Sequence, residues 1–129
     1  MNAQSHRTAI DQAMAVLDAH FTALNAHDEV ALSATLHFPH YRLASGRLQT
    51  WSDPSRYLTD FYARTTDDWH HSVLDSRDVI AAGPEKVHLN VKFTRYREDG
   101  SSIGEYQSLW VVTCINGRWA AQLRSSFAN

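Results

Sequence analysis

The residues best suited to proton transfer are His37 and His40, which flank Pro39 where a second helix is predicted to end. Histidine exchanges a proton near neutral pH, so either ring could act with an arginine or a tyrosine as its electrophilic partner. Alternatively, His40 hydrogen-bonds the last carbonyl groups of that helix. The pair straddles a proline and lacks the geometry of two metal ligands on one helix face, and no other spacing matches a tetrahedral site. We therefore expect no metal and no cofactor.

Two carboxylates, Asp75 and Asp78, lie on the first of four predicted long strands and could provide a base. The direction of their side chains depends on the length of the loop around Gly83-Pro84. A four-residue loop turns Asp78 toward the helices, whereas a loop of odd length turns Asp75 inward. Either carboxylate could instead pair with Arg77 or face solvent, and the sequence leaves these alternatives open.

Two glycine turns, Asp99-Gly100 and Asn116-Gly117, predict the register of the last three strands if each is a two-residue hairpin loop. Both turns independently place apolar residues on one face of the sheet, which a shift of one residue would not preserve. The predicted pairs are Glu98–Ser101, Phe93–Tyr106, Val91–Ser108, Leu89–Trp110, Val87–Val112, Cys114–Trp119, Val112–Ala121, Trp110–Leu123 and Tyr106–Phe127.

The same face offers groups that could hold a ligand. The planar guanidinium of Arg95 matches a carboxylate or phosphate, although this side chain could also extend past the sheet edge into solvent. A β-bulge in the last strand would turn Arg124 or Ser126 inward in place of Ser125. Aromatic residues could line a cavity for a flat ligand or simply fill the core. The candidate catalytic residues are His37, His40, Asp75 and Tyr106, and the candidate ligand-binding residues are Trp51, Tyr57, Phe61, Phe93, Arg95, Ser108, Trp110 and Arg124.

The first half of the chain is predicted to be mostly helical. Apolar residues recur at steps of three and four from Ile10 to Leu24, which is typical of one buried helix face, and Thr8 is a possible N-cap. A second, shorter helix is predicted from Asp28 through Leu36, ending before Pro39.

Two short strands, residues 40–44 and 47–51, are predicted to form a hairpin around Ser45-Gly46. Asp53-Pro54 then begins a third helix, because aspartate is a good N-cap and proline suits the first turn. Three helices followed by four long strands predict an α+β fold, in which the helices pack on a strongly curved, mixed or antiparallel sheet.

Size and charge limit the possible partners. A chain of 129 residues predicts one domain, 1–129. The net charge of −2 and scattered basic residues argue against nucleic acid or an anionic membrane as partner. The single cysteine, Cys114, excludes an intramolecular disulfide, and no stretch approaches the roughly 20 apolar residues of a membrane span. With a polar N-terminus that does not resemble a signal peptide, the expected location is the cytoplasm.

The order of these elements resembles the NTF2-like superfamily, in particular its SnoaL-like and ketosteroid-isomerase-like small proteins. The stretches that carry the resemblance are residues 37–40, residues 93–96 before 99–100, and residues 117–119 leading into 124–127. The resemblance covers nearly the whole chain and implies a conical α+β fold, a deep pocket between sheet and helices, and usually a dimer. Such proteins include isomerases, dehydratases, cyclases, hydrolases and binding proteins, so the resemblance selects no function.

Three functions are compatible with these observations. The first is a small-molecule-binding protein with an apolar, aromatic pocket. The second is a cofactor-independent lyase or isomerase acting on a small hydrophobic substrate through His37, His40 or Asp75, with Tyr106 or an arginine as electrophile. The three strands of predicted register place no carboxylate on the inner face, which weakens a ketosteroid-isomerase type of site.

The third function is that of an accessory subunit that binds another chain through its sheet. The outer face carries a modest apolar strip, Leu109, Val111 and Thr113, which is compatible with a homodimer through the sheet, and the resemblance implies such a dimer. The alternative is that an antiparallel sheet keeps this face solvated.

Overall fold

The computed structural model describes residues 3–65 and 68–128. Helices cover one face of a six-stranded sheet, in the element order that the sequence predicts. The helices are α1 (Ala3–Asn25), α2 (Glu29–Ser33) and α3 (Tyr57–Arg64), with a 3₁₀ turn at Pro54–Arg56, and the strands are β1 (Leu36–Ala44), β2 (Arg47–Trp51), β3 (His71–Ala82), β4 (Lys86–Tyr96), β5 (Ser102–Ile115) and β6 (Arg118–Ser126).

The helices differ from the predicted ones at their ends. Because α1 begins at Ala3, Thr8 lies inside the helix and does not cap it. Asp28 does cap α2, since its carboxylate accepts a hydrogen bond from the Ala31 amide at 3.0 Å. The prediction that this helix continues through Leu36 is wrong, because Leu36 already pairs with Ala121 of β6. Pairing with the sheet therefore overrides helical periodicity over residues 34–36.

The strand order is β2-β1-β6-β5-β4-β3, and neighbouring strands are antiparallel except for the parallel pair β1 and β6. The sheet is open and does not close into a barrel. The predicted hairpin at Ser45-Gly46 is confirmed and joins β1 to β2. However, β1 runs through Pro39, so His37 and His40 lie on a strand and not at a helix end.

The register predicted for β4 and β5 is confirmed along most of the ladder, including Phe93–Tyr106 and Leu89–Trp110. The predicted pair Glu98–Ser101 is wrong because β4 ends at Tyr96. A longer turn follows, in which the Arg97 amide donates to the Ser101 carbonyl at 2.9 Å.

The register of β5 and β6 is correct near the turn and wrong beyond it. The pairs Cys114–Trp119 and Val112–Ala121 are as predicted, but an irregularity follows, and Trp110 then pairs with Arg124 in place of Leu123. Beyond it, Ser108 pairs with Ser126, so the predicted partner Phe127 of Tyr106 is excluded and is 81% exposed. A bulge in β6 thus turns Arg124 and Ser126 inward, which was the alternative predicted for a bulged strand, and Leu123 and Ser125 outward.

The first long strand, β3, has no single parity because its register shifts twice, near Asp75 and near Ile80. Leu74 pairs with Phe93 before the first shift, and Arg77 pairs with Val91 after it, so each predicted parity holds over part of the strand. Asp75 and Asp78 are both exposed. Neither carboxylate is therefore part of the buried core.

The core lies between the helices and the inner face of β3–β6. Large apolar side chains from α1 meet those of the central strands, and each contributes about 1.5–3 kcal/mol when it leaves water. The fully buried members include Leu17, Leu32, Leu36, Leu89, Val91, Val112 and Trp110. This core fixes the strands that carry the polar residues described next.

Candidate functional site

A small cavity lies between α1, α3 and the inner face of the sheet. Its free volume is about 20 Å³, and a figure of about 340 Å³ is reached only when all surrounding empty space, open solvent included, is counted. The first figure accommodates about one water-sized group, because a water needs roughly 10–15 Å³. Four arginines from four different elements line the cavity: Arg42 of β1, Arg64 of α3, Arg95 of β4 and Arg124 of β6.

The four guanidinium groups form the arginine cluster, and its charge is not balanced by any described carboxylate. Arg42 and Arg95 are only 2% and 6% exposed. Among residues 3–65 and 68–128 the one ion pair joins Arg77 to Asp18, outside the cluster and partly in solvent. Every pair within the cluster repels electrostatically. Buried charges are normally paired, so this arrangement is unusual.

Five of the twelve guanidinium nitrogens of the cluster are buried without a hydrogen-bond partner, while Arg64 and Arg95 have side-chain hydrogen bonds with Tyr57 and Tyr106. Arg42 donates through Nη2 to the Ala128 carbonyl at 2.6 Å, and Arg124 donates through Nη2 to the Tyr57 hydroxyl. The buried nitrogens without a partner are Nε of Arg42, Nε and Nη1 of Arg64, Nε of Arg95, Nε of Arg124 and the indole nitrogen of Trp110. Each of these six nitrogens can only donate a hydrogen bond, so the cavity lacks acceptors.

Aromatic rings support the Arg95 guanidinium in place of anions. Its central carbon lies 5.0 Å from the ring centre of Tyr106 and 5.7 Å from those of Phe61 and Phe93. Cation–π contacts of this kind stabilise a cation by about 0.5–2 kcal/mol. The opposite residue in the ladder is Gly104, where a side-chain carbon would lie 2.6 Å from the Tyr106 hydroxyl oxygen. Glycine therefore leaves the Tyr106 ring room to stay beneath Arg95.

Arg124 and Arg64 are held in a similar way. The Arg124 guanidinium lies 5.1 Å from the Trp110 ring and 5.6 Å from the Tyr57 ring, and that of Arg64 lies 5.0 Å from Phe61. The rings fix these cations without neutralising them. An incoming anion would therefore meet positioned guanidinium groups whose charge is still available.

The unfavourable free energy of burying these charges is evident in the lowered pKa values of three of the arginines. Burial, followed by repulsion from Arg64 and Arg124, lowers the pKa of Arg42 from its usual value to about 9. Burial likewise lowers the pKa of Arg64 to about 10 and that of Arg95 below its usual value. These arginines stay cationic at neutral pH, but folding holds them in an unfavourable environment.

Two buried histidines, His20 and His40, stand beside the cluster with defined tautomers. Thr35 donates its hydroxyl proton to the Leu32 carbonyl at 2.7 Å, so its oxygen can only accept from Nδ1 of His20, 2.9 Å away. His40 Nδ1 lies 3.1 Å from the Ala121 carbonyl and must also donate. In both neutral rings Nε2 is therefore the basic nitrogen.

Both rings are neutral at physiological pH. Burial, reinforced by repulsion from Arg124, lowers the pKa of His40 from 6.5 to about 3. The same causes in the same order lower the pKa of His20 well below its usual value. The Nε2 atom of His40 is buried and has no hydrogen-bond partner, while its ring packs edge-on against Tyr57 at 5.6 Å. This nitrogen is a hydrogen-bond acceptor without a partner, close to guanidinium nitrogens that are donors without partners.

The structure brings most of the predicted ligand-binding residues together. Those that line the cavity are Phe61, Phe93, Arg95, Trp110 and Arg124. The others lie just behind it: Tyr57 contacts Arg124, Ser108 hydrogen-bonds Ser126 at 2.9 Å, and Trp51 packs on Tyr57.

The predicted catalytic residues do not all meet in this cavity, but Asp75 and Tyr106 line one open surface depression together with Phe93. His40 and Tyr106 adjoin the arginine cluster, as described above. His37 is engaged elsewhere, because Nε2 lies 3.0 Å from the Thr113 carbonyl and Nδ1 lies 3.1 Å from Nη2 of Arg118. Asp75 accepts a hydrogen bond from the Thr94 hydroxyl at 2.5 Å and is exposed.

Among the cavity residues that were not predicted as site residues are His20, Arg42 and Arg64, and the sequence contains a signal for each. The hairpin at Ser45-Gly46 pairs His40 with the buried Trp51, which places Arg42, two residues on, on the same inward face. Arg64 follows Tyr57 and Phe61 at helical spacing, and His20 follows Leu17 on the buried face of α1.

Other classes of site receive no support within the described part of the chain. Residues 3–65 and 68–128 contain no group of three or more His, Cys, Asp or Glu side chains that could hold a metal ion. None of the described helices is long and apolar enough to cross a membrane.

Comparison with known proteins identifies the fold. No family model matches the sequence, and no curated protein matches it either. Solved structures do match: a cystatin-like protein of unknown function from Nostoc punctiforme has 17% identity and a TM-score of 0.73, over 92% of this chain and 89% of that one. An NTF2-like protein from Novosphingobium aromaticivorans has 12% identity and a TM-score of 0.74, over 94% and 82%.

A ketosteroid isomerase-like protein from Erwinia carotovora atroseptica has 18% identity and a TM-score of 0.68, over 92% of this chain and 94% of that one. These likenesses confirm the predicted fold: the chain is an α+β protein with the NTF2-like, cystatin-like architecture. Identities this low carry no activity from one protein to another.

Proposed function

We propose that this protein binds a small organic anion in the arginine-lined cavity. The observation that carries the proposal is the arginine cluster, in which four cations surround one cavity without a described carboxylate partner. A bound carboxylate or phosphate would supply both the missing charge and the missing acceptors. The protein is thus a small-molecule-binding member of its fold class, with a ligand defined first by its charge.

Energetics support a ligand over a purely structural role. Removing a charged group from water without a partner costs several kcal/mol, and apolar residues of similar size would fill the same space at lower cost. Sites arranged for binding or catalysis commonly retain such unfavourable groups, because the ligand offsets the cost. The cluster satisfies this description better than that of a stabilising core.

The size and lining of the cavity define the rest of the ligand. The rings of Phe61, Phe93 and Trp110 would contact an apolar or aromatic portion. The free space about the guanidinium groups holds only about one water-sized group, so the charged part must be compact. A larger body has to occupy the surrounding crevices or displace side chains.

Thermal unfolding with isosteric ligand pairs tests this proposal. Benzoate and benzamide have nearly the same shape but differ in charge, so only benzoate should raise the melting temperature, with saturation. Isothermal titration calorimetry should then show that Arg95→Met weakens benzoate binding at least about tenfold. Arg47→Met is the matched control, because Arg47 is exposed on β2.

Equal effects of benzoate and benzamide would count against an anion site. The proposal would also fail if a broad set of carboxylates, phosphates and sulfonates left the melting temperature unchanged at millimolar concentrations. An equal loss of affinity in Arg47→Met and Arg95→Met would place the bound anion on the surface.

A second candidate function is a cofactor-independent lyase or isomerase that uses His40 as its base. The observation that favours it is the buried Nε2 of His40, which has no hydrogen-bond partner. An anion bound nearby would raise the pKa of His40 from about 3 toward the range in which a base is effective. In such a reaction a C–H bond of the bound anion breaks, the proton moves to Nε2, and the electron pair enters an enolate stabilised by guanidinium groups.

Proton exchange separates this candidate from simple binding. An anion that binds should exchange its acidic C–H for deuterium in D2O, followed by NMR, and His40→Gln should abolish the exchange while keeping the affinity. If the wild-type protein binds the anion and no C–H exchanges, the protein acts as a binder only.

A homodimer through the outer face of the sheet is also a proposal. Leu109 is 38% exposed in the isolated chain, next to the more buried Val111 and Thr113. Light scattering coupled to gel filtration should give twice the chain mass, and Leu109→Glu should shift it to the monomer. An accessory role instead requires a different chain on this face, and a homodimer that excludes other chains would contradict it.

A further inference from the structure

We infer that the anion taken by the arginine cluster is a tetrahedral dianion, a phosphate monoester or its equivalent, in preference to a monocarboxylate. The inference rests on the proposed function and narrows its ligand class. Three observations support it: the number of nitrogens without a hydrogen-bond partner, the number of guanidinium charges, and the different directions from which the arginines reach the cavity.

The number of unused donors exceeds what one carboxylate can accept. Six buried nitrogens of the site lack a partner, five of them on guanidinium groups and one on Trp110. A carboxylate has two oxygens with about four lone-pair positions, so at least two of these donors would stay unsatisfied. A phosphate monoester presents three strong acceptor oxygens, each able to accept two hydrogen bonds. Three such oxygens can accept from all six nitrogens, provided that the side chains around the free volume of about 20 Å³ move apart to admit the group.

The charge points to the same class of ligand. A monoanion would offset one of the four guanidinium charges, whereas a phosphate monoester carries about −1.5 to −2 at neutral pH. Mutual repulsion affects all four arginines, so the second negative charge still falls in a strongly positive field. The neighbouring His20 and His40 are neutral, so the positive charge that the ligand meets comes from the arginines.

The donors converge from several directions and not from one plane. Arg42 and Arg124 stand on the paired strands β1 and β6, Arg95 on β4, and Arg64 on α3, which comes from outside the sheet. A planar carboxylate aligns best with one or two guanidinium groups lying in its own plane. A tetrahedral group presents its oxygens to donors on several sides, which is what a cavity between a sheet and a helix requires.

A series of benzene derivatives tests the inference by calorimetry at fixed ionic strength and pH 7.5. Phenyl phosphate has three acceptor oxygens and two charges, benzenesulfonate has three oxygens and one charge, and benzoate has two oxygens and one charge. Phthalate is the dicarboxylate of similar size. We expect phenyl phosphate to bind at least about tenfold more tightly than each of the other three.

Variants show whether the tetrahedral group is held by the cluster. Arg64→Met and Arg95→Met should each weaken phenyl phosphate by a larger factor than they weaken benzoate, for which at least about tenfold is expected in Arg95→Met. The exposed Arg47→Met serves as control and should leave both affinities unchanged. A circular dichroism melt of each variant establishes that it folds, and Arg95→Lys retains the charge if the methionine variant does not fold.

The possible outcomes distinguish this inference from the proposed function. Benzoate or benzenesulfonate binding as tightly as phenyl phosphate would overturn the dianion while leaving the anion site intact. Tighter binding of phthalate would overturn the tetrahedral group. Failure of all four anions to bind would refute the proposed function itself.

Discussion

Replacement of Arg42 by methionine should make the protein more stable, which is the reverse of the usual effect of a core substitution. Arg42 is 2% exposed and belongs to a cluster with no described carboxylate. Methionine has a similar length and no charge, and its flexible side chain fills irregular space. The substitution therefore removes an unfavourable charge without opening a large void.

The expected gain can be estimated from the structure. The pKa of Arg42 falls from its usual value to about 9 on folding, and each factor of ten in the acid dissociation constant corresponds to about 1.36 kcal/mol. Because the folded pKa is the lower one, the full penalty, on the order of 5 kcal/mol, is present at pH 7, below both values. Loss of the hydrogen bond to the Ala128 carbonyl offsets about 1–3 kcal/mol of it. We expect a net gain of about 2 kcal/mol.

Urea denaturation at pH 7 measures this change directly, and in a chain of this size it corresponds to a rise of roughly 8 °C in melting temperature. Arg42→Lys is the matched control, because it keeps the charge and should give no gain. The same Arg42→Met variant should bind benzoate and phenyl phosphate at least about tenfold more weakly. Stability and affinity are thus expected to move in opposite directions.

A loss of more than about 1 kcal/mol in Arg42→Met, with Arg42→Lys unchanged, would refute this reasoning. It would mean that the guanidinium charge is balanced in the folded protein, so the cluster would be structural. Increased stability with unchanged anion affinity would separate Arg42 from the proposed site.

Three further predictions follow from the surroundings of the cluster. His40 alone should lower the unfolding free energy by about 2 kcal/mol between pH 7 and 5, because its folded pKa of about 3 lies below its unfolded value of 6.5. Urea denaturation of His40→Gln at both pH values should lack this part of the pH dependence. An unchanged pH dependence in the variant would contradict the prediction. Gly104→Ala should weaken anion binding in calorimetry about threefold by moving the Tyr106 ring from under Arg95, and unchanged affinity would count against that support. Asp18→Asn should cost less than about 1 kcal/mol in urea denaturation, since its ion pair with Arg77 is partly in solvent, and a larger loss would show that this pair is not an ordinary surface contact.

The parts of the fold that follow local rules could be predicted from the sequence. Asn116-Gly117 gives the register near its turn, and Asp99-Gly100 gives the pairs Phe93–Tyr106 and Leu89–Trp110 even though its loop is longer than two residues. Turn geometry and alternating apolar residues agree there, so one register is strongly favoured.

The parts that depend on an extra residue in a strand could not be predicted as a single answer. A bulge in β6 exchanges Leu123 for Arg124 on the inner face, and two irregularities in β3 leave both Asp75 and Asp78 exposed. No local pattern marks these positions, because a bulge is fixed by the packing of the whole sheet.

Two of the four arginines in the cluster, Arg42 and Arg64, were not predicted for a different reason. Charged residues are rarely buried without partners, so the sequence analysis did not select Arg42 and Arg64 as inward-facing residues. Their spacing relative to His40 and Phe61 does indicate the inner face, but only the assembled fold shows that β1, α3, β4 and β6 bring their cations to one cavity. The aromatic wall was predicted, whereas its charge was not.

A crystal structure of the protein grown with 4-bromophenyl phosphate tests the central claim most directly, because the anomalous signal of bromine locates the ligand. We predict a phosphate group in the cavity, with oxygens at about 2.7–2.9 Å from guanidinium nitrogens of Arg64, Arg95 and Arg124. An empty cavity at saturating ligand, or a phosphate bound only to exposed arginines such as Arg47, would contradict the assignment of this cavity as an anion site.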